Sequence, residues 1–401
     1  MTVIYLDNNA TTKVDPEVVK AMVPFLTEFY GNPSSMHTFG GQVGKAVKTA
    51  RSQVAQLLGA EDSEIVFTSC GTEGNNTAIR AAIAAQPERK HIITTAVEHP
   101  AVLNVCKQLE KQGYTVTYLS VDGKGQIDLM ELEAALTGNT ALVSVMYANN
   151  ETGVVFPVEQ VGQLAKEYGA AFHVDAVQVA GKIPLNLKNS TIDLLTISGH
   201  KLHAPKGVGA LYVRRGFRFR PFLLGGHQER GRRAGTENVP GIVALGKAAE
   251  LESLHLETAV ARERQLRDRL EQTLLSSIPD CEVNGDRKHR LPNTTNIGFK
   301  YIEGEAILLS LNQYGICASS GSACTSGSLE PSHVLRAMGL PYTILHGSIR
   351  FSLSRYTTEA EVDRVLAVMP GIVERLRALS PFNSDASDWL QGREEAVLAT
   401  R

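Results

Sequence analysis

The stretch ALVSVMYANNETGVVFPVEQVGQLAKEYGAAFHVD, residues 141–175, begins and ends on a short apolar run with a longer helical pattern between. Strand, helix and strand in that order form the repeating unit of a parallel sheet. The alternation continues outward. EIVFTS, HIITTA, TVTYLS, ALVSVM, AFHVD, LLTIS and VGALYV succeed one another from about residue 64 to residue 213. This pattern predicts α/β architecture around a mainly parallel sheet.

Upstream, Asp15 and Pro16 stand at the N-cap and first position of a helix carrying Val18, Val19, Met22, Phe25 and Leu26. A second helix repeats Val43, Val47, Ala50, Val54 and Leu57 at helical spacing and ends at Gly59. Downstream, helical pattern covers residues 239–277, followed by shorter strands and a helix around 358–377. At 401 residues the chain exceeds the ~250–300 at which single cores stop growing. Two domains are therefore expected: a large one over 15–258, and a smaller α+β one built from 1–14 and 259–401. The closing SDASDWLQGREEAVLATR reads as a polar tail with a weak helix.

Hydrophobic residues make up 43%, charged residues 20%, and the net charge is -2, the profile of a soluble globular enzyme. Nothing in that balance favours nucleic acid, and the Arg-rich strip 213–235 reads as a solvated or subunit-interface surface. No apolar run reaches the ~18 residues of a membrane span, and MTVIYLDNNATT lacks a secretory signal's basic start. The five cysteines, Cys70, Cys106, Cys281, Cys317 and Cys324, point to free thiols in a reducing cytoplasm.

Several strand ends carry chemistry. In ISGHKLHAPKGVGALYV (197–213) Lys201 follows an apolar strand directly, and a buried amine that loses its charge can form a Schiff base with an aldehyde cofactor. Asp175 ends a strand that reads as buried, where a carboxylate needs a cationic partner such as a protonated pyridine nitrogen. Capping the next helix is its other reading. In IVFTSCGTEGNN a strand breaks at Cys70 and Gly71 and a helix opens at Thr72, so its amides can hold a phosphate. The P-loop spacing is absent. Ser198 and His200 flank the Lys201 turn, His99 precedes a helix where an imidazole can stack on a flat ring, and Asn150 ends another strand. A parallel sheet gathers such loops at one edge.

DNNATT, YGNPSSMH, GTEGNN, VEHPAV, ANNETG, HVDAVQ, SGHKLHAPKG, GGHQERGRRAGTEN and SSGSACTSG resemble, in order and over nearly the whole length, the NifS/IscS-type cysteine desulfurases of the class V aminotransferase superfamily. The wording around Cys324 resembles the long-loop subgroup, and GRRAGTENVPGIVALGKA resembles its NifS members. The resemblance implies a fold-type I pyridoxal 5'-phosphate enzyme with a seven-stranded sheet in its large domain. It further implies a homodimer that takes sulfur from L-cysteine, leaving L-alanine and a persulfide on Cys324. That cysteine would ride on a mobile loop at about 317–333. Lys201 would carry the cofactor as a Schiff base, Asp175 would pair with the pyridinium, and His99 would stack on the ring as acid and base. Gln178 and Asn150 would contact the ring's phenolic oxygen or the substrate. Gly71, Thr72, Ser198 and His200 would hold the phosphate, joined by Thr236 from the other subunit. Arg350 would grip the substrate carboxylate. The implied acceptor is an iron-sulfur scaffold protein, with a transient iron-sulfur cluster at Cys324 in that complex and a link to nitrogenase.

Around Cys324 the sequence supplies no adjacent base, although a free thiol near pKa ~8.5 is mostly protonated at neutral pH. Activation must come from the site the loop enters. Cys317 and Cys324 at C-x6-C spacing do not form a zinc pattern. An aminotransferase or selenocysteine lyase on the same fold is the nearest alternative. The other cysteines read as inert thiols, Cys317 as a strand residue.

Overall fold

The computed structural model describes residues 3–320 and 331–381. Cys324, most of its loop and the C-terminal tail lie outside them. The arm opens with β1 (Ile4–Tyr5). The large sheet follows as β2 (Ile65–Thr68), β3 (His91–Thr95), β4 (Thr115–Leu119), β5 (Thr140–Met146), β6 (Ala171–Asp175), β7 (Leu194–Ser198) and β8 (Gly209–Val213), in the order β2-β8-β7-β6-β5-β3-β4. Its pairings are parallel except those of β8, which runs against both β7 and β2.

Successive strand residues enter opposite cores. Phe67, Val143, Phe172 and Leu195 belong to one core with the helices Thr38–Leu58 and Val158–Glu167 and the first turns of Val239–Ser277, while Val66, Leu142, Ala171 and Leu194 belong to another with the helices Gly71–Ala85 and Pro100–Glu110. Burial on both faces is why these strands read as unbroken apolar runs, and the edge strand β4, part-exposed along most of its length, does not. A separate core gathers around β9 (Cys281–Val283), β10 (Thr294–Phe299) and β12 (Ser348–Ser352), with Ile297, Phe299, Ile349 and Phe351 packed on Val362, Val365 and Met369 of the helix Glu359–Leu379. Leu6 belongs to this core, and β1 pairs in parallel with β11 (Ile316–Cys317), which places Cys317 in a strand. The helix Val239–Ser277 serves both bodies, burying Val239 to Ala249 in the first and Leu266 to Leu274 in the second.

Two sequence details differ from the structure. The helix expected through Leu26 ends at Met22, and a short helix Pro24–Thr27 restarts beyond Val23. Pro24 cannot donate to the preceding turn and its ring crowds it. The Arg-rich strip is solvated only in part: Arg215, Arg218 and Arg220 are exposed, whereas Arg214 donates to the carbonyls of Ser190 and Ile192, Arg230 to that of Ile65, and Arg233 pairs with Glu73 at 2.9 Å.

Candidate active site

The strands β2, β3, β5, β6 and β7 run the same way, so the loops leaving their C-terminal ends share one edge of the sheet. Lys201 stands in a single turn, Gly199–Lys201, directly after β7. Its Nζ donates to the backbone carbonyls of Asn9 and Ala10, the latter at 2.7 Å. The same Asn9 carbonyl accepts from Nε2 of buried Gln178 at 2.9 Å, while Lys182 donates to the Gln178 carbonyl at 3.1 Å.

Asp175 ends β6 and is buried. Oδ2 accepts from Nδ2 of Asn75 at 2.6 Å and Oδ1 from the amide of Val177 at 3.0 Å. Both donors are neutral, and none of the ion pairs among the described residues includes Asp175. Asn75 lies one turn inside the helix that Gly71 opens. A Cβ on Gly71 would stand 2.9 Å from Val177 Cγ2 and 3.5 Å from Ser198 Cβ. Only glycine lets the helix start so close to β6 and β7. Thr72 is exposed beside this N-terminus and Ser198 is buried.

His99 caps the helix Pro100–Glu110: its Nδ1 accepts from the amide of Ala101 at 3.1 Å, which leaves the proton of the neutral ring on Nε2. Burial, assisted by Lys201 and His333, lowers its pKa. The ring is therefore neutral near pH 7. His200 turns Nδ1 to Oγ1 of Thr11 at 3.2 Å, and burial with nearby Lys201 and Lys206 pushes its pKa down to about 4. It offers a phosphate a neutral ring. Thr236 is exposed at a small cavity shared with Ser69 and Arg233.

Arg350, on β12, approaches from the second body and is 2% exposed. Nη2 donates to Asp7 Oδ1 at 2.7 Å and Nη1 to the Asn150 carbonyl at 2.9 Å. The Asn150 carbonyl also accepts from the Asn9 side chain at 3.2 Å.

Sequence reasoning missed the partners. Asn75, Asp7 and the two arm carbonyls received no role, although DNNATT and GTEGNN stood out as motifs. It also missed two buried carboxyls beside the site. Glu98 accepts from Thr95 Oγ1 and the Met146 amide, both at 2.9 Å, and burial raises its pKa to about 8. Glu151 accepts from Ser332 Oγ at 2.5 Å, and its pKa too is raised by burial. His333, next to Ser332, bonds the Glu98 carbonyl through Nε2 at 2.9 Å. The remaining thiols need no function: burial pushes that of Cys106 up to about 12.

Comparison with known proteins identifies this architecture. The family model for aminotransferase class-V matches residues 4–365. A cysteine desulfurase of Trichormus azollae is 80% identical over 397 residues, 99% of each chain. The chain belongs to the class V aminotransferase family, among its cysteine desulfurases. The cysteine desulfurase NifS of Azotobacter vinelandii is 62% identical over 383 residues, 95% of each chain. A solved NifS-like protein superposes with a TM-score of 0.88 at 41% identity, covering 94% of this chain and 100% of that one. The fold is that of fold-type I pyridoxal-phosphate enzymes.

Pyridoxal 5'-phosphate is the cofactor of this family, and the residues fit it. A buried carboxylate held by neutral donors suits a cationic ring nitrogen, an amine after β7 suits the aldehyde, and the close-packed helix start beside Ser198 suits the phosphate.

Proposed function

We propose that this chain is a pyridoxal-phosphate-dependent cysteine desulfurase that converts L-cysteine to L-alanine, with the sulfur passing to Cys324 as a persulfide. The observation that carries the reading is Asp175, a buried carboxylate without an ion pair among the described residues, at the same strand-end edge as the Lys201 amine. When bound, the cofactor supplies a carbonyl for amines and a protonated ring that stores an electron pair.

The protein's groups divide the remaining work. Lys201 carries the cofactor and, once released by the substrate amine, takes the proton from the substrate Cα. Asp175 keeps the ring nitrogen protonated, and Asn75 orients that carboxylate. His99 stacks on the ring and moves protons through Nε2, while Gln178 and Asn150 contact the phenolic oxygen or the substrate. Gly71, Thr72, Ser198 and His200 hold the phosphate, and Arg350 holds the substrate carboxylate. The Cys324 thiolate attacks the substrate sulfur. A sulfur–sulfur bond forms, the carbon–sulfur bond breaks, and its electron pair stays with the carbon that becomes the alanine methyl group. His99 or His333, which both lie at this edge, removes the thiol proton.

The chain acts as a homodimer, with Thr236 reaching the partner's phosphate. Exposed Val19, Val23, Leu26, Tyr30 and Met36 supply an apolar surface for that contact. Its domains divide at about residue 258, within the long helix. Among the described residues no helix is long and apolar enough to cross a membrane, and the protein works in the cytoplasm. An iron-sulfur scaffold takes the sulfur, with a transient cluster at Cys324, and the NifS relatives favour supply to nitrogenase.

The test is to incubate the protein with cysteine and a reductant, measure sulfide and alanine together, and map the persulfide by mass. Equal amounts of both products are expected, with the extra sulfur on Cys324. Cys324→Ala should bind cofactor and form coloured intermediates with cysteine, yet release no sulfide. Normal turnover in that variant, or pyruvate formed from alanine and a keto acid, would overturn the reading.

A further inference from the structure

A guanidinium as deeply buried as that of Arg350 has to be neutralised and hydrogen-bonded. Among the described residues this is done incompletely. Asp7 takes Nη2 with one oxygen, the Asn150 carbonyl takes Nη1, and Nε is buried without a partner. Nε and Nη2 form the side-on fork that grips a carboxylate through two parallel hydrogen bonds. Half of that fork is therefore open and the other half is occupied by a carboxylate of the chain itself.

Asp7 is suited to give way. Its side chain is 18% exposed against 2% for Arg350, so water can replace the bond that Asp7 gives up, while an incoming carboxylate replaces the charge at Arg350. Its backbone is fixed independently: Asp7 bridges to Ser352, and the following residues Asn8 and Asn9 bond the Ser352 carbonyl and hydroxyl at 2.9 Å each. The carboxylate can turn away without unseating the arm. Two carboxylates on one buried guanidinium would leave net negative charge in a poorly screened place, so they oppose one another.

We propose that Asp7 is an intramolecular competitor for Arg350: it holds the guanidinium while the site is empty and weakens the binding of the substrate carboxylate. The inference rests on Arg350 being the carboxylate site of the proposed reaction. Asp7 touches neither substrate nor cofactor in this role. It is a positioning residue whose removal has a definite sign.

Steady-state kinetics of the holoenzyme test it. In Asp7→Asn the KM for L-cysteine should fall roughly three- to tenfold, the size of one part-exposed ion pair, with kcat within about twofold of wild type. The inhibition constant of propionate, which has a carboxylate but neither amine nor thiol, should fall by the same factor. Propionate should also raise the melting temperature of this variant more than that of wild type. Asp7→Glu, which keeps the charge, should behave as wild type does. A KM that rises or stays constant in Asp7→Asn overturns the proposal, because a residue that merely orients Arg350 gives that result. Asp7→Ser is the second neutral variant; failure of both to fold would make Asp7 structural and equally overturn it. Arg350→Gln separates the two levels. If it leaves KM and propionate inhibition untouched, the carboxylate site itself is wrong; if it raises both, an unchanged KM in Asp7→Asn removes only the role of Asp7.

Discussion

Asp175 and Arg350 are both buried charges at the same crevice, yet the chain treats them in opposite ways. Asp175 receives two neutral hydrogen bonds and no ion pair among the described residues. Arg350 receives a carboxylate, Asp7, at 2.7 Å. Hydrogen bonds stabilise a buried carboxylate without satisfying its charge, so the Asp175 end favours a cation that arrives and stays. The Arg350 end is already neutralised, and its ligand must compete and later leave. In the proposed function Asp175 faces a resident cofactor and Arg350 a passing substrate, and those two roles need that difference.

The comparison breaks most sharply at Asp175. In Asp175→Asn the amide cannot hold a protonated ring nitrogen, and turnover should drop about 10²-fold, the scale of a lost charge-assisted hydrogen bond in a buried site. Sulfide release and the cofactor's absorption band together check this; wild-type turnover would show that no cation sits there. Next comes the Arg350 side, where loss of the Asp7 charge should tighten binding severalfold. Asn75→Ala tests whether neutral donors matter: Asp175 keeps the Val177 amide but loses a bond at 2.6 Å. About a tenfold fall in kcat with KM nearly unchanged is expected.

The smallest effect concerns Glu98. Burial lifts its pKa to about 8, above the ordinary value near ~4.3 in an unfolded chain. The folded state therefore retains a proton that the unfolded state releases, and this contribution to stability is full below ~4.3 and lost as pH rises towards 8. Glu98→Gln keeps the neutral shape and removes the titration. Its melting temperature should gain about 2 °C on wild type between pH 6 and pH 9, measured by calorimetry across that range. Parallel curves for the two proteins would show that Glu98 does not titrate there.

The large sheet was legible because every one of its strands except the edge strand β4 is buried throughout, which forces a continuous apolar run such as LLTIS in β7. Gly59 was legible as a helix end, and it adopts the left-handed conformation with φ +60°. Lys201, Asp175 and His99 stood out because they lie at or just beyond the ends of such strands, where a parallel sheet gathers its ligand loops. Their partners did not. Asn75 meets Asp175 across 100 residues and Asp7 meets Arg350 across 343. Local pattern carries no information about which distant backbone returns to the same edge. The break at Pro24 was legible in principle, since proline ends helices, but the apolar spacing across it hid the signal.

The arm has one more consequence, which concerns order in time. Residues 4–10 leave the ribosome early, but their seats are β11 and the Ser352 end of β12. Until those strands exist, Asn9 and Ala10 have only bonds from the large-sheet body, such as that from Gln178 to the Asn9 carbonyl, to hold them where the Lys201 amine rests. The large sheet lies between the arm and its seats in the sequence, so this crevice is complete only when β12 meets a segment 343 to 344 residues before it. A chain that stops before β12 lacks both Arg350 and the seat of Asn8 and Asn9.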